Sequence, residues 1–528
     1  MTTPRFVSSM PDGSNNRRNH QGTRGQRTSQ REPLCVSLRV FVSSRLWWTA
    51  LPPALVVALL LGVVTGCSVG PEYEPPEQPA MPDAWNTAST AGVVEGEAPL
   101  ETWWAVFDDP ELTSLIERSR LTNLSLREAV WRVEEARAVR GVAAGQRYPQ
   151  IDATAEAGRS EASDNGVLGD LAPEGGFDAA NLFDAGVGAS WEIDLWGRVR
   201  RQVESADAAV DASVEDYRDV LVGLFAEVAV NYVTVREQQE RLRLARANVD
   251  GQESTLRLTR DRFDAGLVSG LDIAQAESVL AATRSLIPVL ERNRQIALNR
   301  LAVLLGTTPG ALDDELAAED RIPEEPDAIT TGLPADLLRQ RPDIRAAERR
   351  LASQTARIGV ATADLYPRFS LTGFLGLQAT DAGDLFSSDS VNWSVGLPIR
   401  WKLFAGGAVR SQIAAEEART EQLLAAYERT VLLALEEVEG AMIAFDTELE
   451  RRTRLAESVD ATQRSLDLVL TQYRAGLTDF QNVLDTQRSL RNQQDDLAAS
   501  EGLVIKNLIS LYRALGGGWD PDAPEPQP

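Results

Sequence analysis

Histidine and cysteine are nearly absent from this sequence of 528 residues, which contains one histidine, His20, and two cysteines, Cys35 and Cys67. All three lie in the first 67 residues, ahead of the part that has the composition of a folded body. That body therefore has no Ser-His-Asp or Cys-His catalytic group and no histidine–cysteine zinc cluster. Acidic residues are abundant, but no spacing singles out a catalytic carboxylate pair. The sequence predicts a protein that is not an enzyme and needs no metal or other cofactor.

Positive charge is also scarce, with 53 lysine and arginine residues against 78 acidic ones and a net charge of −25. This balance argues against a nucleic-acid-binding surface. The share of apolar residues, 43%, is high enough for a packed core and argues against a disordered chain.

Residues 1–66 have the composition of a leader and lipoprotein signal peptide. A polar, arginine-rich segment precedes an apolar stretch at 46–64, which two prolines interrupt. The unbroken part is shorter than the about 20 residues of a transmembrane helix, although an uncleaved membrane anchor remains an alternative. Val64-Thr65-Gly66-Cys67 resembles a bacterial lipobox, in which the cysteine becomes the first residue of the mature chain and carries lipid. The sequence therefore predicts a lipoprotein anchored at Cys67.

Proline is absent from two long stretches, 198–287 and 399–519. Both are rich in alanine, leucine, arginine, glutamate and glutamine, and they carry a helical stripe of apolar residues. They predict helices over about 198–263 and 408–473, each about 100 Å long at 1.5 Å per residue. Each long helix ends at an Ala-Gly-Leu motif and is followed by a shorter returning helix. The result is an antiparallel hairpin of coiled-coil type.

Three motifs occur twice in the same order. Residues 147–151 correspond to 365–369, 198–202 to 408–412, and 263–267 to 473–477, and the last two pairs are each 210 positions apart. This order predicts a tandem duplication, with repeats at 105–306 and 334–516. A proline-rich connector at 307–333 joins them, an extended segment at 67–104 precedes them, and a tail at 517–528 follows. Each repeat begins with a helix, which in the first repeat opens at Asp109 and runs to about Gln146.

A β-hairpin precedes each long helix, at 148–196 and at 366–404. Apolar and polar residues alternate at 187–195 and 391–403, which indicates half-buried strands. Four strands are too few to close a membrane barrel, and a lipid-exposed sheet leaves no edge unpaired. If these strands span a membrane, several chains share one barrel, and three chains supply twelve strands with room for a pore. A soluble β-sandwich shows the same alternation and remains an alternative.

Three segments resemble hallmark segments of one family: CSVGPEY at 67–73, WEIDLWGR at 191–198 and GLPADLLRQRPDIR at 332–345. They resemble the TolC-like outer-membrane efflux lipoproteins of the NodT family, and the resemblance extends over 67–519. It implies a mixed α and β membrane protein, a homotrimer whose twelve-stranded β-barrel has four strands per chain. The barrel is continuous with a long periplasmic α-helical coiled-coil tunnel. The implied location is the outer membrane of a Gram-negative bacterium.

The resemblance also implies a function as the passive exit duct of a tripartite efflux system. Its partners would be an RND-type inner-membrane transporter and a periplasmic adaptor (membrane fusion) protein. Drugs, metals, solvents and lipid-like molecules are all compatible as substrates, since selectivity in such systems lies mainly in the transporter. The alternative is a periplasmic helical scaffold or adaptor-like binding protein without a pore, which gives no reason for four amphipathic strands.

Two groups of site residues follow. The turns Ala265-Gly266-Leu267 and Ala475-Gly476-Leu477 are expected to dock the adaptor, because each places an apolar leucine at a solvated tip, and a glycine with positive φ is expected in each. Plain helix caps are the alternative. By the resemblance, Asp272 and Asp485 match acids at the constricted periplasmic gate, and Asn482 stands where related channels often have a second acid. Rings of such acids would bind cations. Ordinary first-turn residues favoured by the helix dipole are the alternative.

Overall fold

The computed structural model describes residues 68–76, 81–82, 84–85, 93–94, 100–161, 163, 179–326, 329–330, 332, 334–521, 523 and 527. The leader at 1–66 and the anchor residue Cys67 lie outside these ranges. The described helices are α1 (Pro110–Thr122), α2 (Leu124–Gly145), α3 (Arg198–Asp264), α4 (Gly270–Arg284), α5 (Ile287–Leu304), α6 (Leu337–Gln340), α7 (Pro342–Ala363), α8 (Ala408–Arg474) and α9 (Phe480–Ala514). The strands are β1 (Val93–Val94), β2 (Gln150–Ser160), β3 (Ala180–Ile193), β4 (Ile329–Thr330), β5 (Arg368–Ala379), β6 (Val391–Gly396) and β7 (Ile399–Arg400).

The two long helices, α3 and α8, have 67 residues each, as the long proline-free stretches predict. At 1.5 Å per residue, each is about 100 Å long. Gly197 and Gly407 precede them with φ values of 78° and 88°. These left-handed residues turn the chain from the hairpin into the helix, a conformation that glycine adopts without strain.

Three predicted elements are interrupted in the structure. The predicted helix from Asp109 to Gln146 is wrong as one element, because Asn123 has an extended backbone and separates α1 from α2. The Asn123 side chain accepts the Leu126 N–H at 2.9 Å and donates to the Leu304 carbonyl at 2.8 Å, so it caps one helix and ties it to another. The returning helix of the first repeat is divided into α4 and α5 just before Pro288. Pro398 likewise separates β6 from β7, because proline has no N–H to donate to the partner strand.

The main sheet is antiparallel and has the order β2–β3–β5–β6, with β7 continuing along β5 after β6. In the first hairpin Gln150 lies opposite Ser190, and in the second Arg368 lies opposite Arg400. The first strands of the two hairpins are thus offset by 368 − 150 = 218 positions and the second strands by 400 − 190 = 210. Within the described residues, β2 has no partner on its outer edge, and neither do β6 and β7.

Two tryptophans repeat the same contact in the two hairpins. Trp191 Nε1 donates to the carbonyl of Arg147 at 3.0 Å, and Trp401 Nε1 donates to the carbonyl of Leu365 at 3.0 Å. Trp401 lies 210 positions after Trp191, and Leu365 lies 218 positions after Arg147, so both pairs follow the offsets of the strands. The two hairpins therefore share one register and one way of fixing their base.

The main hydrophobic core lies midway along the long helices, where α1, α3, α5, α8 and α9 meet. The short parallel pair β1–β4 joins the segment before the first repeat to the connector between the repeats. On the sheet side of this core, α2 packs on α3, α3 on α7, and α7 on α8. The helices α2 and α8 thus stand at the two ends of this row.

Candidate functional site

The tip of each long helix ends in the same hydrogen-bonded turn. Gly266 has φ 72° and Gly476 has φ 76°, as expected from the sequence. In the first turn the N–H of Gly266 donates to the Phe263 carbonyl at 2.8 Å, and that of Leu267 donates to the Arg262 carbonyl at 2.9 Å. The second turn repeats both bonds at the corresponding residues. This pair of bonds is the Schellman motif, which requires a left-handed residue and explains the glycine.

The turns present apolar side chains to solvent. Leu267 is 65% exposed and Leu477 is 78% exposed, and neither belongs to the neighbouring hydrophobic cluster. Leu271, at the start of α4, is 64% exposed as well. Exposed leucines at one end of a helical hairpin are typical of a surface that contacts another molecule. Within the described part of the chain, they remain exposed.

The acidic residues past the turns have different local roles. The Asp272 carboxylate accepts the N–H of Ser269 at 3.1 Å, which makes it the third residue of a capping box at the start of α4. Asp485 lies in the second turn of α9, is exposed, and accepts hydrogen bonds from Gln481 at 3.0 and 3.1 Å. The 210-residue offset places Asn482, not Asp485, at the position that corresponds to Asp272. In the described chain, no contact joins the two aspartates.

The two hairpin tips are held together by a contact that sequence reasoning missed. The guanidinium of Arg262, at the end of α3, donates to the carbonyl of Tyr473 and to that of Arg474 at 3.1 Å, and it lies 4.7 Å from the centre of the Tyr473 ring. Tyr473 is buried against Phe480, and both belong to a cluster with residues of α3, α4 and α9. Arg262 thus caps the carboxyl end of α8 from the neighbouring long helix. The sequence did contain a signal for this contact, because Arg262 stands just before the first Ala-Gly-Leu motif and Tyr473 just before the second.

An acidic cleft of about 1180 Å³ lies beside the connector, where residues 319–325 face α3, α8 and α9. It is lined by Glu240, Glu319, Glu324, Glu325 and Glu501, with Arg452 among the few basic residues. Burial raises the pKa of the Glu501 carboxyl above its ordinary value, and the negative charge of Glu240 adds to this increase. Glu501 is therefore a carboxyl group of this cleft that resists ionisation. The pKa of Glu325 is lowered instead, because hydrogen bonds from Arg452 and from its own backbone outweigh the effect of burial.

The main sheet exposes apolar side chains that a soluble protein would normally cover. The exposed residues are Ile151, Leu375, Trp393, Val395, Leu397 and Ile399. Among the described helices, none combines the length and the apolar character that crossing a membrane requires. In the same ranges, no three His, Cys, Asp or Glu side chains are grouped so that they can hold a metal ion.

Comparisons with known proteins agree along most of the chain. The family model described as "Outer membrane efflux protein" matches residues 115–307 and 333–517. Nodulation protein T of Rhizobium leguminosarum bv. trifolii is 32% identical over 462 residues, which cover 87% of this chain and 96% of that protein. The pyoverdine export outer membrane protein OpmQ of Pseudomonas aeruginosa is 35% identical over 427 residues, covering 80% and 88%. The solved outer-membrane channel OprN has a TM-score of 0.79 and 38% identity, covering 86% of this chain and 100% of that one.

Proposed function

The chain belongs to the outer membrane efflux protein family, and we propose that it works as a trimer in which three chains share one twelve-stranded barrel. It is an outer-membrane efflux channel rather than an enzyme. The observation that carries the proposal is the sheet of one chain, which has an exposed apolar face and, among the residues that the structure describes, two outer edges without a partner strand. In lipid, every backbone group needs a partner, so such a sheet must close on other copies.

The test is to purify the full chain from outer membranes and measure both its mass and its conductance. Native mass spectrometry should find three chains, and planar bilayers should show discrete channels. A monomeric protein without conductance would favour the alternative, a periplasmic scaffold that uses the helical hairpins only for binding.

A tandem duplication underlies the proposed ring. The family model matches the chain twice, and the two hairpins share their register and their tryptophan contacts. Three chains with two repeats each would surround the axis with six similar units. The long helices of these units would form the wall of the periplasmic tunnel.

The lipid anchor at Cys67 is part of the proposal. It is supported by the lipobox sequence at 64–67, with Ser68 directly after the cysteine. Mass spectrometry of the mature protein should find Cys67 as an acylated amino terminus, and Cys67→Ser should remove the acyl mass. An intact leader or an unmodified Cys67 would contradict the anchor. Twelve shared strands would still hold the variant in the membrane, since one or two acyl chains bind more weakly than a membrane-spanning protein.

The tips are proposed to meet the other pump components. A periplasmic adaptor would cover the turns around Leu267 and Leu477, and an RND-type transporter in the inner membrane would supply the energy. Exposed apolar side chains on a rigid, hydrogen-bonded turn suit such a contact, because little backbone order is lost on binding.

The gate is proposed to lie just past the turns. Three copies of Asp272 and of Asp485 around one axis would form acidic rings that favour cations, since like charges at short range need counterions or hydration. The capping bond of Asp272 leaves its second carboxylate oxygen available to a ring, because only Oδ2 accepts the Ser269 N–H.

A further inference from the structure

The polar face of the main sheet carries one aromatic side chain. Leu375 and Trp393 lie directly opposite each other on the exposed apolar face. Their neighbours Phe374 and Ser394 are also directly opposed, and they lie on the other face because side chains alternate along a strand. On the described strands of this sheet, Phe374 is the only aromatic residue of that face, whose other members are mostly polar residues and glycines.

Two glycines leave room for the Phe374 ring against the sheet. Gly186 of β3 and Gly376 of β5 lie directly opposite each other on the same face. An added Cβ at Gly186 would lie 2.5 Å from Cζ of Phe374, and one at Gly376 would lie 2.7 Å from it. Both distances are shorter than a van der Waals contact, which is about 3.5–4.0 Å between carbon atoms. The ring therefore occupies the space that two side chains would otherwise fill, and we call Gly186 and Gly376 its glycine seat.

The seat is specific to these two positions. Gly188 lies directly opposite Phe374, but an added Cβ there would come no closer to the ring than 3.9 Å. Gly373 lies on the apolar face, where an added Cβ would meet only the Ser394 carbonyl oxygen, at 4.0 Å. Both positions would accept a methyl group without moving the ring. The same sheet therefore contains matched glycines inside and outside the seat.

The position of the ring matters in a barrel, because the polar face would line the lumen. This step rests on the twelve-stranded barrel proposed above. Twelve strands about 4.8 Å apart and tilted by about 40° enclose a cylinder whose backbone radius is about 12 Å. A ring that lies against the wall takes up about 4 Å of that radius, which is one van der Waals contact. A ring that stands upright takes up more, so three copies of one aromatic residue change the free width of the lumen.

We propose that Phe374 sets the width of the barrel lumen and that its glycine seat keeps the lumen wide by holding the ring against the wall. Solutes that leave the tunnel pass three such rings at one level, because the three copies are related by the barrel axis. Phe374 thus limits the size of the solutes that fit through the barrel. Gly186 and Gly376 are positioning residues, which act through Phe374.

Filling the seat should turn the ring into the lumen. Side-chain rotamers are discrete, so a ring displaced from one well moves to another well and does not stop between them. Outside such a seat, the side chains of strands stand roughly perpendicular to the sheet. Gly186→Ala combined with Gly376→Ala places two methyl groups where the ring now lies. The three rings of a trimer should then point toward the barrel axis.

Exclusion of polymers measures the free width from the barrel end. Polyethylene glycols of graded mass are added to the extracellular side of single channels in planar bilayers, and the largest polymer that lowers the conductance gives the size limit. The double alanine variant should lower this limit about twofold in mass. Because the size of a flexible polymer grows as about the square root of its length, this change corresponds to a loss of about a third of the free radius. Gly188→Ala and Gly373→Ala, the matched controls, should leave the limit unchanged.

Removing the ring separates a role in width from a role in folding. When Phe374→Ala is added to the double variant, the size limit should return at least to the wild-type value. An unchanged limit in the double variant, or a reduced limit that persists without the ring, overturns the inference.

Assembly of the glycine variants is a second readout, because backbone atoms also lie 2.9 Å from both added Cβ positions. Native mass spectrometry shows whether the double variant forms trimers. If it does not, recovery of the trimer by Phe374→Ala supports the contact between the ring and its seat. Failure to recover the trimer overturns the inference, because the glycines would then serve only the backbone of the sheet.

Thiol labelling tests which face Phe374 occupies. Phe374→Cys should react with a membrane-impermeant maleimide added to intact cells, because the reagent enters the barrel. Leu375→Cys, the matched control on the apolar face, should remain unlabelled in lipid, and the parent chain measures the background from the natural cysteines. In a trimer, equal or reversed labelling overturns this inference and leaves the channel proposal standing. A monomer without conductance overturns both.

Discussion

The contact between the hairpin tips leads to the sharpest prediction. Arg262 of α3 binds the carboxyl end of α8, and separating the two hairpins would break this contact. Replacing it by alanine removes both carbonyl contacts and the contact with the Tyr473 ring. We expect Arg262→Ala to produce channels that open far more often, because separating the two hairpin tips then no longer breaks this contact.

The magnitude follows from the contacts. A hydrogen bond from a charged donor contributes about 1.5–3 kcal/mol, and a partly exposed cation–π contact contributes about 0.5–1 kcal/mol. Arg262 is half-buried, so the lower values apply, and the total is about 2–3 kcal/mol. At about 1.4 kcal/mol per factor of ten, the loss of this contact should raise the ratio of open to closed tips about 30- to 140-fold for each chain. The three chains of a channel should together raise the open fraction further.

Single-channel recording in planar bilayers measures this ratio directly. Arg260→Ala is the matched control, because Arg260 lies on the same helix but pairs with Glu277 of α4 at 2.7 Å, inside the first hairpin and exposed to solvent. It should leave the open fraction unchanged, and Arg262→Lys should fall between the two, since an ammonium group lacks the planar fork of donors. Wild-type gating in a folded Arg262→Ala trimer would refute the role of this contact.

Three further predictions concern the tips, the gate and the acidic cleft. Leu267→Asp combined with Leu477→Asp should abolish efflux in cells while trimers still form, and normal efflux would show that the tips do not dock in this way. Asp272→Ala combined with Asp485→Ala should reduce cation selectivity and block by divalent cations in bilayer recordings. If only the thermal stability changed, these aspartates would act solely by stabilising the helices in which they lie. Glu501→Gln should raise the unfolding temperature at pH 7, because the raised pKa of Glu501 means that its ionised form costs stability in the folded state. This gain should shrink as the pH falls through the raised pKa and vanish below the ordinary glutamate value of about 4.3, and a pH-independent gain would contradict it.

The local elements were determined by the sequence. A stretch without proline or a turn signal continues as a helix once it is nucleated, so both long helices could be placed to within one residue of their observed ends. Alternation with period two located the strands, since it reflects a sheet with two different faces. The Ala-Gly-Leu motifs located the tips, because the left-handed residue of the turn favours glycine.

The interruptions were decided by contacts distant in sequence. Asn123 ends a helix because its side chain bonds to the carbonyl of Leu304, 181 positions away. The contact of Arg262 with Tyr473 spans 211 positions, and that of Ser205 with Ser353 spans 148. No local propensity encodes these partners. Periodicity and turn chemistry act over a few neighbouring residues. The pairs of helices that meet, and the residues at which they meet, depend on the packing of the whole chain. Only the tertiary structure provides this information.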